Sequence, residues 1–191
     1  MKRVEFLKQF VRYPTLTCAI AESCTELADL ITDTAELSQA SMVVEFGSGT
    51  GVFTEKILEK ISGNTQAFSL EINEDFVKET RRRCPEAIVY FDSAVNVAPY
   101  LKEAGVEKCD RIISGLPWAS FPEKIQDKIL DTVADILEPG GKFLTFAYVH
   151  GLCLPAGRRF RKNLFSRFQR VLATRIIWQN LPPAFVYCAE K

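Results

Sequence analysis

The sequence predicts an α/β protein: a mostly parallel sheet of seven strands, helices on both faces, and an antiparallel pair of strands at the C-terminal end. Three observations carry this. Short apolar runs alternate with helical stretches from residue 42 to residue 149, as strands joined by helical crossovers do. One strand runs straight into the glycine turn Gly47-Ser48-Gly49-Thr50-Gly51 and then into a helix. The last two strand-like runs are separated only by Gln179-Asn180-Leu181-Pro182-Pro183, too short a connection for a parallel crossover.

Residues 2–13 spell an amphipathic helix, with Val4, Phe6, Leu7, Phe10, Val11 and Tyr13 on one face and Glu5, Lys8, Gln9 and Arg12 on the other; Pro14 ends it. A second helix is expected over 23–38. The strand Met42–Phe46 leads through the glycine turn to a helix over 52–61. A strand at Gln66–Leu70, a helix over 74–83 and a strand at Ala87–Phe91, stopped by Asp92, follow. A helix near 96–104 precedes the strand Arg111–Ser114, and a helix over 122–137 precedes the strand Lys142–Val149, begun by Pro139-Gly140-Gly141. Residues 156–166 read as a basic helix, and Gln169–Trp178 and Phe185–Ala189 as the closing strands. No repeat, low-complexity tract or linker interrupts the series, so residues 1–191 are expected to form one domain.

Hydrophobic residues at 47% and charged ones at 25% of 191 residues exclude a disordered chain. No apolar run approaches the roughly 18–20 residues of a membrane span, and the N-terminus lacks the apolar run of a signal peptide. The six cysteines (18, 24, 84, 109, 153 and 188) form no C-x-x-C pair, and only one His accompanies them. Reduced thiols in a cytoplasmic protein, and no metal site, are expected. The net charge of zero hides a split: +3 over residues 1–13, −11 over 14–138 and +8 over 139–191. Either the two ends meet an anionic partner, or they neutralise the middle within the fold.

The chemistry concentrates in Val43-Val44-Glu45-Phe46-Gly47-Ser48-Gly49-Thr50-Gly51. Val52 stands where a dinucleotide G-x-G-x-x-G would have its last glycine, and the Gly-Lys-Ser/Thr of a phosphate loop is absent. Glu45, just ahead of the glycines, suits a cationic amino-acid ligand and would repel a pyrophosphate. Glu71 ends the second strand 20 positions after Gly51, where an acid can accept both hydroxyls of a ribose. Asp92 ends the third strand. Each acid alone also reads as a helix N-cap or solvated turn residue; in order at successive strand ends, they support one another.

The acid-x-Gly-x-Gly-x-Gly turn resembles the first motif of class I S-adenosylmethionine-dependent methyltransferases. That resemblance implies a Rossmann-like fold and S-adenosylmethionine (SAM) as cofactor, leaving as S-adenosylhomocysteine. It places Glu45, Gly47, Ser48, Gly49 and Gly51 along the methionine portion, Glu71 at the ribose and Asp92 near the adenine amino group, with Ile72, Ser93 and Ser114 beside them. Ser114-Gly115-Leu116-Pro117-Trp118 resembles the N-[LI]-P-[YF] motif of amino-methylating enzymes such as the rRNA adenine dimethylases. Gly115 occupies the Asn position, so the side chain that accepts a base amine in those enzymes is missing here.

The whole chain resembles the bacterial phospholipid N-methyltransferases. The likeness runs through Arg12-Tyr13-Pro14-Thr15, Cys18-Ala19-Ile20-Ala21-Glu22-Ser23, 47–54, Ser114-Gly115-Leu116-Pro117 and Asn180-Leu181-Pro182-Pro183-Ala184. Glu22 and Cys24 stand where that family usually has Pro and Ser. The likeness implies methylation of a phospholipid amine such as phosphatidylethanolamine, with Gly115, Leu116, Pro117 and Trp118 at the acceptor. Tyr148 and His150 end the fifth strand and are candidates for proton acceptor or headgroup contact. Trp118, Tyr148, Trp178 and Tyr13 could ring an ammonium, although each also reads as a core residue. Arg158, Arg159 and Arg175 could hold a lipid phosphate or an RNA backbone, or form a solvated face. Residues 1–38 would cover the cofactor or extend toward a membrane, where the helix over 2–13 could lie among headgroups. The expected partner is a phospholipid or an anionic membrane surface on the cytoplasmic side, with RNA as the alternative. Methylation of rRNA adenine or another nucleic acid, or of a small molecule, and a binding module without activity are the rival readings; the acids at 45, 71 and 92 argue against the last.

Overall fold

The computed structural model describes residues 21–191. The expected helix over 2–13, with Tyr13, lies outside the described residues. The chain runs α1 (Ala21–Ala35), β1 (Met42–Phe46), α2 (Val52–Lys60), β2 (Gln66–Glu71), α3 (Glu74–Arg83), β3 (Val89–Phe91), α4 (Ala98–Glu103), β4 (Cys109–Ser114), α5 (Glu123–Ile136), β5 (Leu137–Tyr148), α6 (Pro155–Arg167), β6 (Arg170–Ala173) and β7 (Ala184–Glu190). Single 3₁₀ turns stand at Leu37–Gln39, Ala94–Asn96, Trp118–Ser120 and Val149–Cys153.

All seven strands join one sheet in the order β3-β2-β1-β4-β5-β7-β6. β1 to β5 are parallel, and β7 lies antiparallel between β5 and β6. β1 is buried at every position, Glu45 included, as the central strand of a two-sided sheet must be. Alternate residues feed two cores. Val44, Phe46, Ile112 and Phe143 meet Leu101, Leu130, Phe160 and Leu164 from α4, α5 and α6 on one face. Val43, Ile113, Leu144 and Val186 meet Leu27, Ile31 and Ile57 from α1 and α2 on the other. Among the described residues, no helix is long and apolar enough to cross a membrane.

The expected elements are all present between residues 21 and 191, and several boundaries differ: the helix expected over 23–38 ends at Ala35, ahead of the 3₁₀ turn at Leu37–Gln39, and β4 starts at Cys109 rather than Arg111. β5 starts at Leu137 rather than Lys142, because Leu137 pairs with Cys109 ahead of a bulge; Pro139 and Gly140 (φ +77°) lie within the strand. β3 starts at Val89, not Ala87. β6 stops at Ala173 instead of running to Trp178. There the Thr174 hydroxyl accepts the Val186 N–H at 2.9 Å in place of the main chain, and the ladder resumes only as a single Ile177–Ala184 bridge.

Candidate active site

The five parallel strands end on one edge of the sheet, and the loops leaving that edge carry the candidate residues. After β1, Gly47, Gly49 and Gly51 take φ of +80°, +54° and +83°, the left-handed region that glycine enters without strain. A Cβ on Gly47 would lie 2.9 Å from Leu116 Cδ2, and one on Gly51 would crowd Thr80 and Arg83 at 3.2 Å. At Gly49 a Cβ would meet nothing within 4 Å, so this part of the turn faces open space.

Glu71, at the end of β2, is buried and accepts the Gly49 N–H on Oε2 (3.0 Å) and the Asn73 N–H on Oε1 (2.9 Å). A carboxylate has about four lone-pair directions, so two remain for further donors. Ile72 beside it is an exposed apolar side chain, a surface a purine can cover. Thr80 of α3 donates its hydroxyl to the Gly49 carbonyl at 2.9 Å and lies 3.0 Å from Ser48 Oγ, locking the turn from below. Sequence reasoning missed Thr80; its only signal is a small polar residue on the buried face of α3. Asp92, at the end of β3, accepts Ser93 N–H (2.7 Å) and Asn96 Nδ2 (2.8 Å) on Oδ1 and the Tyr100 hydroxyl (2.9 Å) on Oδ2. These contacts, that to Asn96 foremost, hold its carboxyl below the usual range.

Glu45 stands apart from this edge. Strand alternation turns it under α2, where Oε2 accepts the hydroxyls of Thr54 (2.6 Å) and Ser69 (2.5 Å), while Oε1 has no partner. Full burial pushes its carboxyl up to about 7, against the pull of those hydroxyls. An acid whose folded value lies above its ordinary 4.5 favours the folded state while protonated. Stability should therefore fall as pH rises from about 4.5 to about 7. Glu45→Gln should flatten that slope in denaturant titrations across this range, and an unchanged slope would contradict the assignment.

On the acceptor side, β4 ends in Ser114, fully buried, whose Oγ accepts from Leu116 N (3.3 Å) and Trp118 Nε1 (3.2 Å). Gly115 donates its N–H to the Phe46 carbonyl at 2.9 Å and passes so close to the glycine turn that a Cβ would lie 2.6 Å from the Gly47 oxygen. Leu116 and Pro117 are half-buried beside it. Trp118 corrects an expectation. Its ring is buried, stacked on Phe160 at 4.5 Å and edged by Phe143 and Phe121, with its N–H also reaching Thr145 Oγ1 at 2.9 Å. The turn directs it into the core, so it offers no face to a ligand. Gln126, also missed, secures this turn by donating to the carbonyls of Trp118 (2.7 Å) and Ala156 (3.1 Å).

At the end of β5, half-buried Tyr148 and exposed His150 stack with ring centroids 5.5 Å apart. The arginines do not converge. Arg159 approaches Glu123 of α5 at 3.8 Å and Arg158 is exposed on α6, whereas Arg175 pairs at 3.5 Å with Glu26 of α1, on the opposite face of the sheet. They do not form one phosphate site.

This sheet order, with β7 antiparallel, and a glycine turn after β1 facing acids at the ends of β2 and β3 define a class I SAM-dependent methyltransferase. The chain belongs to the family described as Methyltransferase domain, which matches residues 43–141, just over half of it. It is similar to an ornithine lipid N-methyltransferase from Singulisphaera acidiphila, 28% identical over 185 residues that cover 95% of this chain and 92% of that protein. Among solved structures it resembles the O-methyltransferase from Bacillus cereus in complex with S-adenosylhomocysteine (TM-score 0.69, 15% identity, 86% of this chain and 80% of that one). It also resembles the O-methyltransferase TomG from Streptomyces achromogenes in complex with SAM (TM-score 0.68, 16% identity, 100% and 99%). At these identities the structural likenesses speak to the fold. The cofactor is SAM, and the open glycine turn, the spare lone pairs of Glu71 and the apolar face of Ile72 fit it.

Proposed function

We propose that this methyltransferase methylates the amine of a membrane-lipid headgroup, one that carries a phosphate or carboxylate near the amine. The observation that carries the reading is Gly115. Its close approach to Gly47 leaves no room for a side chain, so the turn after β4 presents no amide to grip a planar base amine. The similarity to a protein named as an ornithine lipid N-methyltransferase, along 95% of the chain, supports a lipid acceptor.

On this reading the methionine portion lies along Gly47–Gly51, the ribose hydroxyls donate to Glu71, and the adenine packs between Ile72 and the Asp92–Ser93 corner. The cofactor supplies an electrophilic methyl on a sulfonium. The chain supplies orientation and exclusion of water, through the glycine turn on one side and Leu116 and Pro117 on the other. An ammonium must first lose a proton; His150, exposed just after β5 and stacked on Tyr148, is the proposed acceptor, with Tyr148 the alternative. The deciding experiment incubates the protein with methyl-labelled SAM and separate lipid and RNA extracts. Label should enter the lipid fraction, phosphatidylethanolamine and an ornithine-type lipid being tested apart, and His150→Ala should slow transfer without weakening cofactor binding. Label confined to RNA or to water-soluble amines would overturn the proposal.

A further inference from the structure

Residues 149–183 contain seven basic side chains and not one acid. Two loops of this stretch lie on the same sheet edge as the candidate active site: 149–154, leaving β5, and 174–183, joining β6 to β7. They are tied together by the Val149 N–H on the Pro183 carbonyl at 2.9 Å. Both are apolar at the surface. Leu152 is 37% exposed, Leu154 43%, Trp178 66% and Leu181 60%. Arg158, in the first turn of α6, and Arg175, whose side chain is 71% exposed, flank them. The ion pair of Arg175 with Glu26 is an exposed one at 3.5 Å, too weak to withhold the guanidinium from another anion. At the far end of the same edge, beyond β2 and β3, the balance of charge is acidic: Glu74 is paired with Lys78 at 2.9 Å, and Asp75 is exposed, with Asp92 half-exposed near them.

Single exposed apolar side chains are ordinary on a soluble surface. Four of them in two joined loops, among cations and without an acid, make an amphipathic face of the kind that sits in a headgroup layer. We propose that these two loops dock the protein on an anionic phospholipid bilayer, with Trp178 and Leu181 entering the interface and Arg158 and Arg175 on lipid phosphates. This deepens the lipid reading, on which it rests: the docked edge is the one that carries Tyr148 and His150, so an amine headgroup reaches them without leaving the membrane. The acidic end of the edge is repelled and stays in water.

The test uses the full chain with vesicles of phosphatidylcholine, with and without phosphatidylglycerol. Trp178→Glu combined with Leu181→Glu should weaken binding to the anionic vesicles by at least about tenfold. Phe165→Glu combined with Leu172→Glu, which alters two other exposed apolar side chains (48% and 49%) outside these two loops, should bind like the parent. A second measurement does not depend on how the double variant folds. Vesicles with brominated acyl chains should quench the emission of the parent. In Trp178→Phe they should leave the emission unquenched, because the remaining Trp118 is buried in the core. Undiminished binding of the 178/181 variant, or vesicle-bound parent without quenching, overturns the proposal. The two readings separate cleanly. Lipid methylation without quenching removes the docking face and keeps the lipid reading; binding and quenching without lipid methylation does the reverse.

Discussion

Glu71→Ala should lose cofactor affinity by roughly 2–4 kcal/mol, about thirtyfold to a thousandfold, in calorimetric titration with S-adenosylhomocysteine. Two effects add. The carboxylate is the proposed acceptor of the ribose hydroxyls, and it also holds the Gly49 and Asn73 amides at 3.0 and 2.9 Å, so its removal loosens the glycine turn on which the methionine portion would lie. Glu71→Gln keeps one acceptor oxygen and should fall between parent and Ala. Unchanged affinity in the Ala variant would remove Glu71 from the cofactor site.

Gly115→Asn is the second large effect. It writes the Asn of the base-methylating motif into this chain, and it should give a damaged protein rather than an adenine methylase. The new Cβ would lie 2.6 Å from the Gly47 carbonyl oxygen, a backbone atom that cannot swing aside as a side-chain end can. Either the end of β4 or the glycine turn must move, at a cost of about 1–3 kcal/mol. The denaturation midpoint and the cofactor affinity should both fall. A variant as stable as the parent that methylates adenine in RNA would show that the turn is not confined as described.

The order of elements was legible because the central strands are short, mostly apolar runs set between turn residues, as 42–46 is with Glu45 its one polar position. The helix over 74–83 was legible to the residue, since Asn73 accepts the Asp75 N–H and three arginines occupy the last turn. What was not legible depends on partners far along the chain. Pro139-Gly140-Gly141 reads as a turn, yet Leu137 ahead of it pairs with Cys109, 28 positions earlier, and Gly140 donates to the Lys191 carbonyl. Trp118 reads as an aromatic clamp by its motif, but its stacking partner Phe160 arrives 42 residues later. Counting charge says nothing of direction, so Arg158 and Arg175 read as one patch of arginines although they belong to opposite faces of the sheet. Of the three acids, Glu71 and Asp92 stand on the predicted edge; the period of two that buries a strand also turns Glu45 beneath α2.

The corner at the end of β3 bears on how a ligand is received. Three of the four lone-pair directions of Asp92 are already taken by Ser93, Asn96 and Tyr100, and the Tyr100 ring packs on Tyr90 at 4.1 Å. Asp92 and Tyr100 are therefore held in place when the chain folds. A ligand arriving there meets Asp92 and Tyr100 already held by their partners, and the entropy of arranging those two side chains belongs to folding rather than to binding. Selectivity at this corner then comes from shape: a group that does not match these two side chains gains nothing by waiting for them to adapt.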